Sequence, residues 1–443
     1  MTVSDSIELK DIDRKAISTA KALIEERLER LRSIVPSILD LSCRECALPA
    51  SYGHTLEDKK ALFKLVREFG FSDLMVSNFF DFPNTDVQFA RYLASENINM
   101  DGMFSFVSEA VGTEDGKPVT PNYSMGIILE TGIPNVTFDL FFNPSYLLEK
   151  GRSPEQTLRD VERSILFMRE KLPEKSESRG RIYVNIADFF EVFDEDDDFL
   201  LRVMKLLEAM PIDGFLFEDT RGTHFHFQTF EIVKFLRRYV PSPRKILVHP
   251  HAGNGLENAT LIDAILGGAD GTWAAFTPHA AQIGHGSSLM LITNLMRAGN
   301  PHLKEVYTLS KLMNTAERMW HIHTQSDIEP DQPVVGSRAY KYIDRAFEQG
   351  ERPGDLPPET IGVTPTWRMT AAWSPPYTIA RRLEELGYPS SIVDDEKLLR
   401  TIRFVMSDMN MAGQHVRFEE PNEIAGAVVA AQKRLAEESS GAK

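Results

Sequence analysis

Eight apolar, β-rich runs recur along roughly the first three hundred residues, with helical stretches between most of them. The runs fall at 37–43, 73–77, 100–107, 135–142, 181–186, 214–218, 245–249 and 269–275. Helical spacing of apolar residues fills 56–69, 154–171, 199–209, 229–239 and 256–266. Parallel neighbours in a sheet need a long crossover, and a helix is the usual one. Strand–helix alternation over about 240 residues therefore builds a parallel sheet. Eight units of this length predict an α/β fold with a closed (β/α)8 TIM barrel. A doubly wound open sheet is the competing arrangement. No G-x-G-x-x-G follows a predicted strand, so its dinucleotide-binding form has no support.

The rhythm sets the boundaries. Residues 1–35 form an N-terminal helical extension, with Ile17, Ala20, Leu23, Ile24, Leu28 and Leu31 at helical spacing within 7–34. The barrel occupies 36–300. Residues 301–443 form a linker or lid segment and a small, mainly helical C-terminal subdomain. In that region 326–375 is rich in Pro, Gly and Asp, and helices are predicted at 377–386, 395–409 and 424–438. The acidic run 194–198 directly precedes Phe199, where carboxylates offset a helix dipole.

Charge narrows the partners. The 443 residues carry 49 Lys and Arg against 65 Asp and Glu, a net charge of −16. Nucleic acids and anionic membranes reward clustered basic residues, so neither is an expected partner. No apolar stretch long enough to span a bilayer occurs, and the opening residues carry no apolar signal region. A cytosolic protein is expected. The two cysteines, Cys43 and Cys46, form C-x-x-C without a second pair to complete a structural zinc site. Cys43 is expected in the core and Cys46 beside the site.

In a barrel the chemistry gathers at the C-terminal ends of the strands. The seventh run ends His249-Pro250-His251. Residues two apart on a strand share a face, so the two imidazoles point the same way. The first run leads into Arg44 and Glu45, a guanidinium beside a carboxylate. A carboxylate and two imidazoles on separate strands suit a divalent cation. Capping of a buried strand by the histidines, and an ion pair between Arg44 and Glu45, are the plainer alternatives. The sixth run ends Glu218-Asp219-Thr220, and Glu218 and Thr220 are candidate substrate contacts. Asn78, at the end of the second run, is another; Tyr52, His54 and His279 are lesser candidates on loops. His224 and His226 are read as structural.

With these residues in place, the chain resembles the DRE-TIM metallolyase superfamily, which includes HMG-CoA lyases. Within it the order of motifs is similar to that of isopropylmalate, citramalate and homocitrate synthases. The first motif stands here as Asp40-Leu41-Ser42-Cys43-Arg44-Glu45, the second as Asp219-Thr220-Arg221-Gly222 and the third as His249-Pro250-His251. Gly284-His285 stands where the group has Gly-Asn, with Asn294-Leu295 further on. Past the barrel, Pro333-Val334-Val335-Gly336 and the stretch from Ala380 to Tyr388 continue the similarity.

The resemblance implies a metal site of Glu45, His249 and His251, with His285 a fourth ligand or a lid residue. The ion would be Zn, Mn, Mg, Co or Fe. It implies Arg44 as the catalytic group that stabilises an enolate or alkoxide. It also implies a Claisen condensation of an acyl-CoA with a 2-oxo acid, a carboxylate substrate, and a homodimer in which 326–375 covers the partner's barrel. The departures are specific. Glu45 replaces the group's Asp. The synthases' His-x-Ser-Gly-x-His is read here as Tyr342-Ile343-Asp344-Arg345-Ala346-Phe347. A lyase or aldolase cleaving a 2-hydroxy or 3-hydroxy acid, and a non-catalytic barrel, therefore stay open.

Overall fold

The computed structural model describes residues 11–50, 53–78, 82–109, 117–175, 178–280, 283–350 and 352–441. The chain divides after Ser326 into two compact units. In the first, eight parallel strands close a barrel: β1 (Ser37–Asp40), β2 (Asp73–Asn78), β3 (Met103–Val107), β4 (Asn135–Leu140), β5 (Ile182–Ile186), β6 (Gly214–Asp219), β7 (Lys245–Pro250) and β8 (Gly271–Ala274). Each pairs with the next in chain order, and β8 closes on β1 through Ser37↔Gly271 to Asp40↔Ala274.

The barrel interior follows from the two-residue period of its strands. Leu39, Met75, Phe104, Tyr183, Leu216, Leu247 and Trp273 point inward and pack as one cluster. Two residues further toward the C-terminal ends, the inward positions on four consecutive strands are polar or charged. Thr137 gives way to Asp139 on β4, Tyr183 to Asn185 on β5, Leu216 to Glu218 on β6 and Leu247 to His249 on β7. The apolar floor excludes water, and the polar layer above it is the base of the mouth.

The first strand is shorter than its apolar run. It stops at Asp40, not at Cys43, because the Asp40 carboxylate accepts hydrogen bonds from the Ser42 backbone N–H (3.0 Å) and from its hydroxyl (3.1 Å). This Asx-type turn bends the chain out of the sheet. Arg44 and Glu45 therefore sit beyond the strand, on a turn leading into a short 3-10 helix, Glu45–Ala47.

A buried lysine fixes that turn. Helix α1 spans Asp11–Ser33, helix α2 Leu56–Phe69 and helix α3 Thr85–Ser95. Helix α2 starts at Thr55, whose side chain and that of Asp58 form a capping box. Lys59, on its inner face, donates to the Cys43 carbonyl at 2.6 Å and pairs with Asp86 of α3 at 2.5 Å. The same Asp86 accepts the Asn78 backbone N–H at 2.8 Å. One cation thus ties the turn after β1 to the end of β2. A buried charge persists only when paired and hydrogen-bonded in this way.

Among the described residues no helix is long and apolar enough to cross a membrane. Residues 7–10 of the helix expected at the start lie outside the described residues. The acidic run does serve helix starts: Asp196 caps the helix Asp197–Ala209 by accepting the Phe199 N–H. The second unit, from Asp327, has its own core of Ile379, Leu383, Ile402, Met406, Ile424 and Val428, mostly on the helices Pro376–Glu385, Glu396–Met411 and Pro421–Gly441.

Candidate active site

Glu45, His249 and His251 come together at the barrel mouth. Each offers one ligand atom, these atoms lie within 4.8 Å of one another, and all three residues are buried. The imidazoles of His249 and His251 approach nitrogen to nitrogen, Nε2 to Nε2, at 3.1 Å. Nδ1 of His249 donates to the Trp273 carbonyl at 2.7 Å, so its Nε2 carries the lone pair. A hydrogen bond on the far nitrogen is how proteins orient a metal-binding imidazole. Burial pushes the pKa of both histidines below the usual range, and the neighbouring imidazoles push that of His249 further. Both are neutral at pH 7, the form that ligates. This donor set fits a divalent ion.

His285 stands apart from the cluster. It is fully buried and its ring centre is 4.9 Å from that of His249, yet backbone holds both its nitrogens. Nδ1 donates to the Gly286 carbonyl at 2.8 Å, and Nε2 accepts the Ala275 N–H at 3.3 Å. Burial lowers its pKa to about 3. In this arrangement it packs behind the histidine pair.

Arg44 forms an ion pair with Glu45 and lies over the Phe106 ring, 4.8 Å from its centroid. Burial lowers its pKa, against the pull of the Asp139, Asp86 and Glu218 carboxylates. The ion pair weighed against metal binding for Glu45 is therefore present. The ion pair leaves room for metal binding, because a carboxylate has two oxygens.

Beside the cluster sits a carboxyl pair that the motifs did not single out as a pair. The Asn185 amide donates to Asp139 at 2.7 Å and to Glu218 at 3.0 Å. Thr220 Oγ1 lies 2.7 Å from both the Ala187 carbonyl and Glu218. A hydroxyl has one proton to donate, so a protonated Glu218 completes this chain by donating to Thr220. Burial first, and the Asp139 charge second, push Glu218 up to about 8 from an ordinary 4.5. Asp139 is raised too, chiefly by burial. Asp139 and Asn185 were missed although a signal existed, since both occupy inward positions two residues past core side chains.

The sign of the pH effect follows. A carboxyl whose pKa rises on folding stabilises the fold fully below its ordinary range, and that contribution is lost as pH climbs through the raised value. Metal-free protein should lose stability between about pH 5 and about pH 9, with a share due to Glu218. Glu218→Gln should flatten that decline, as read by melting temperature against pH. Parallel curves for the two proteins would contradict a protonated Glu218.

The other expected contacts scatter. Asn78 lines a cavity of about 450 Å³ that also exposes Asp139. His54 and His279 are drawn into a separate buried group with His323: His54 Nε2 is 3.1 Å from His323 Nδ1, and the rings of His279 and His323 are 5.5 Å apart. Tyr52 lies outside the described residues. His224 stacks on Phe190 at 3.8 Å, and His226 bonds Asp263 at 2.6 Å. Both cysteines are buried and free, and burial raises Cys43 to about 12 and Cys46 well above its ordinary value. Neither forms a thiolate readily.

Glycines lock two loops of the site together. Gly222, in Asp219-Thr220-Arg221-Gly222, has φ +61°, and a Cβ there would lie 2.2 Å from the His251 carbonyl oxygen. A Cβ on Gly253 would lie 2.0 Å from the Arg221 carbonyl oxygen. The loop after β6 and the loop after β7 thus touch backbone to backbone, which only glycine permits.

A probable 2-isopropylmalate synthase of Archaeoglobus fulgidus is 26% identical over 248 residues, covering 54% of this chain and 46% of the relative. The (R)-citramalate synthase of Sulfolobus acidocaldarius is 22% identical over 315 residues, 69% of this chain and 56% of the relative. The chain thus spans about half the length of the curated relatives it matches. Among solved structures, an HMG-CoA lyase from A. baumannii in complex with coenzyme A and 3-methylmalate superposes with a TM-score of 0.54 at 15% identity, over 67% of this chain and 93% of that one. The HMG-CoA lyase of Pseudomonas aeruginosa gives 0.51 at 14% identity, over 66% and 94%. No family model matches the chain. Synthases by sequence and lyases by fold are the two branches of the DRE-TIM metallolyase group that the motifs resemble.

Proposed function

We propose that this chain joins an acyl-CoA to a 2-oxo acid in a divalent-metal-dependent, 2-alkylmalate synthase-like Claisen condensation. The observation that carries the reading is the convergence of Glu45, His249 and His251 beside Arg44 on an apolar barrel floor. A divalent ion bound by the three residues would supply Lewis-acid polarisation of the 2-oxo acid. The chain's own groups supply the rest. The Arg44 guanidinium, part-buried and fixed over Phe106, faces charge that develops on oxygen as the carbon–carbon bond forms. Glu218, protonated, holds a proton at the Thr220 hydroxyl within the same mouth. In the overall reaction the acyl α-carbon loses a proton and bonds to the 2-oxo carbon, and water releases the thiol of CoA.

A second reading is cleavage of a 2-hydroxy or 3-hydroxy acid by a lyase or aldolase of the same barrel. Tyr342-Ile343-Asp344-Arg345-Ala346-Phe347 favours it, since the synthases' histidine pair is absent there. One experiment separates the two. Metal-loaded protein is given acetyl-CoA with a panel of 2-oxo acids, and free thiol is followed. Thiol release that requires a 2-oxo acid supports the synthase. No release with any acid, together with 2-oxo acid production from hydroxy acids, moves the assignment to the lyase. Neither activity would remove both.

A further inference from the structure

We propose that the cavity beyond the ends of β2, β3 and β4 receives a neutral hydroxyl on the far end of the substrate, and that Asp139 is the residue that accepts its hydrogen bond. The proposal rests on the functional reading above, because the near end of that substrate is the part held at Glu45, His249 and His251.

The cavity measures about 450 Å³, and Asn78, Phe106, Asn122, Tyr123, Asp139 and Lys150 are among the residues that line it. That is enough for the tail of a small acid. It adjoins the site through two residues. Phe106 carries the Arg44 guanidinium on its face. Asp139 shares the Asn185 amide with Glu218, and Glu218 stands in register with His249.

The hydrogen-bond inventory is unbalanced in one direction. Asp139, the second Glu218 oxygen and the Asn185 carbonyl are acceptors, and among the described residues the Asn185 amide is the one donor they share, since the Thr220 hydroxyl gives its proton to the Ala187 carbonyl. Asn185 is fully buried, and its Oδ1 has no partner. Asp139 Oδ1 takes the Asn185 amide, and the other Asp139 oxygen has no protein donor among the described residues. A group arriving at that Asp139 oxygen must donate. An alkyl tail would strand the second Asp139 oxygen without water or partner, which is a larger loss than its own burial would recover. An ammonium would meet Arg44 and Lys150 around the same space, the Arg152 charge being taken up by Glu109 and Asp160. A neutral hydroxyl satisfies the acceptor at neither cost.

The test uses two acids with the same chelating head and different tails. They are 2,4-dihydroxybutyrate and 2-hydroxypentanoate, which exchange a terminal hydroxyl for a methyl and cannot undergo the reaction. Binding to full-length, Mn-loaded protein is measured by calorimetry. The expected result is tighter binding of the dihydroxy acid, by about tenfold or more, since a site that hydrogen-bonds a hydroxyl discriminates against its absence. Asp139→Leu should abolish or invert that preference. Asp139→Asn, closer in shape, should reduce it, and covers the case in which the leucine variant does not fold. Equal affinity of the wild type for both acids overturns the hydroxyl pocket and leaves the chelating site standing. An undiminished preference in the variants overturns the role of Asp139. If neither acid binds, the functional reading fails and takes the proposal with it.

Discussion

Protein carrying His249→Ala and His251→Ala together should be folded and should contain no bound divalent metal, whereas the wild type should hold about one equivalent. The proposed ligand set is small, so the expected effect is large. Altering a group that merely orients a ligand typically costs ~10–100-fold in metal affinity. Removing two of three ligands should exceed ~10³-fold, or ~4 kcal/mol, on the same scale. What remains is Glu45, already committed in part to Arg44. Elemental analysis gives the stoichiometry. Thermal unfolding gives an independent reading, because an ion that binds only the native state adds ~2.7 kcal/mol of stability at a hundred times its Kd. Added metal should raise the melting temperature of the wild type and leave that of the variant unmoved. Equal metal content in the two proteins would end the assignment.

Arg44→Ala should lower kcat/KM by ~10²–10³ while metal content stays near that of the wild type. The ion pair with Glu45 allows a purely structural role, in which Arg44 does no more than neutralise a buried carboxylate. That role predicts a different pattern: a lower melting temperature, altered metal affinity and turnover per bound metal close to normal. Arg44→Lys sharpens the distinction. It keeps the charge but loses the planar fork and its stacking on Phe106. If Arg44 stabilises developing charge in a fixed direction, lysine should restore stability and only part of the rate.

The barrel was legible because its signal is redundant. Eight apolar runs and their helices each err by a few residues, yet the alternation survives any one error. The strand that misled did so for a local reason, since Asp40 turns the chain out of the sheet before its apolar run is finished. The histidine pair was legible because period two puts His249 and His251 on one face. The same rule would have found Asp139 and Asn185, which carry no recognisable motif. The tie made by Lys59 to Cys43 and Asp86 was out of reach of sequence reasoning: it joins residues 16 apart and 27 apart through a side chain that periodicity would place only as a helix residue. His285 is a different case. Its identity suggests a ligand, and only the backbone around its two nitrogens reveals how they are used.

The backbone contact between Gly222 and Gly253 divides the mouth into parts with different freedom to vary. The loops after β6 and β7 leave no room for a methyl group at their crossing, so most substitutions there would displace His251 by way of its carbonyl. Insertions would meet the same barrier. Novelty is therefore channelled to the opposite rim, where β2, β3 and β4 open into a cavity bordered by replaceable polar side chains. On the proposed function, a lineage built on this frame could change which acid it accepts without touching Glu45, His249 or His251. In the laboratory, libraries confined to the β2–β4 rim should yield altered selectivity with the metal site intact, and libraries at the glycine crossing should yield mostly inactive protein.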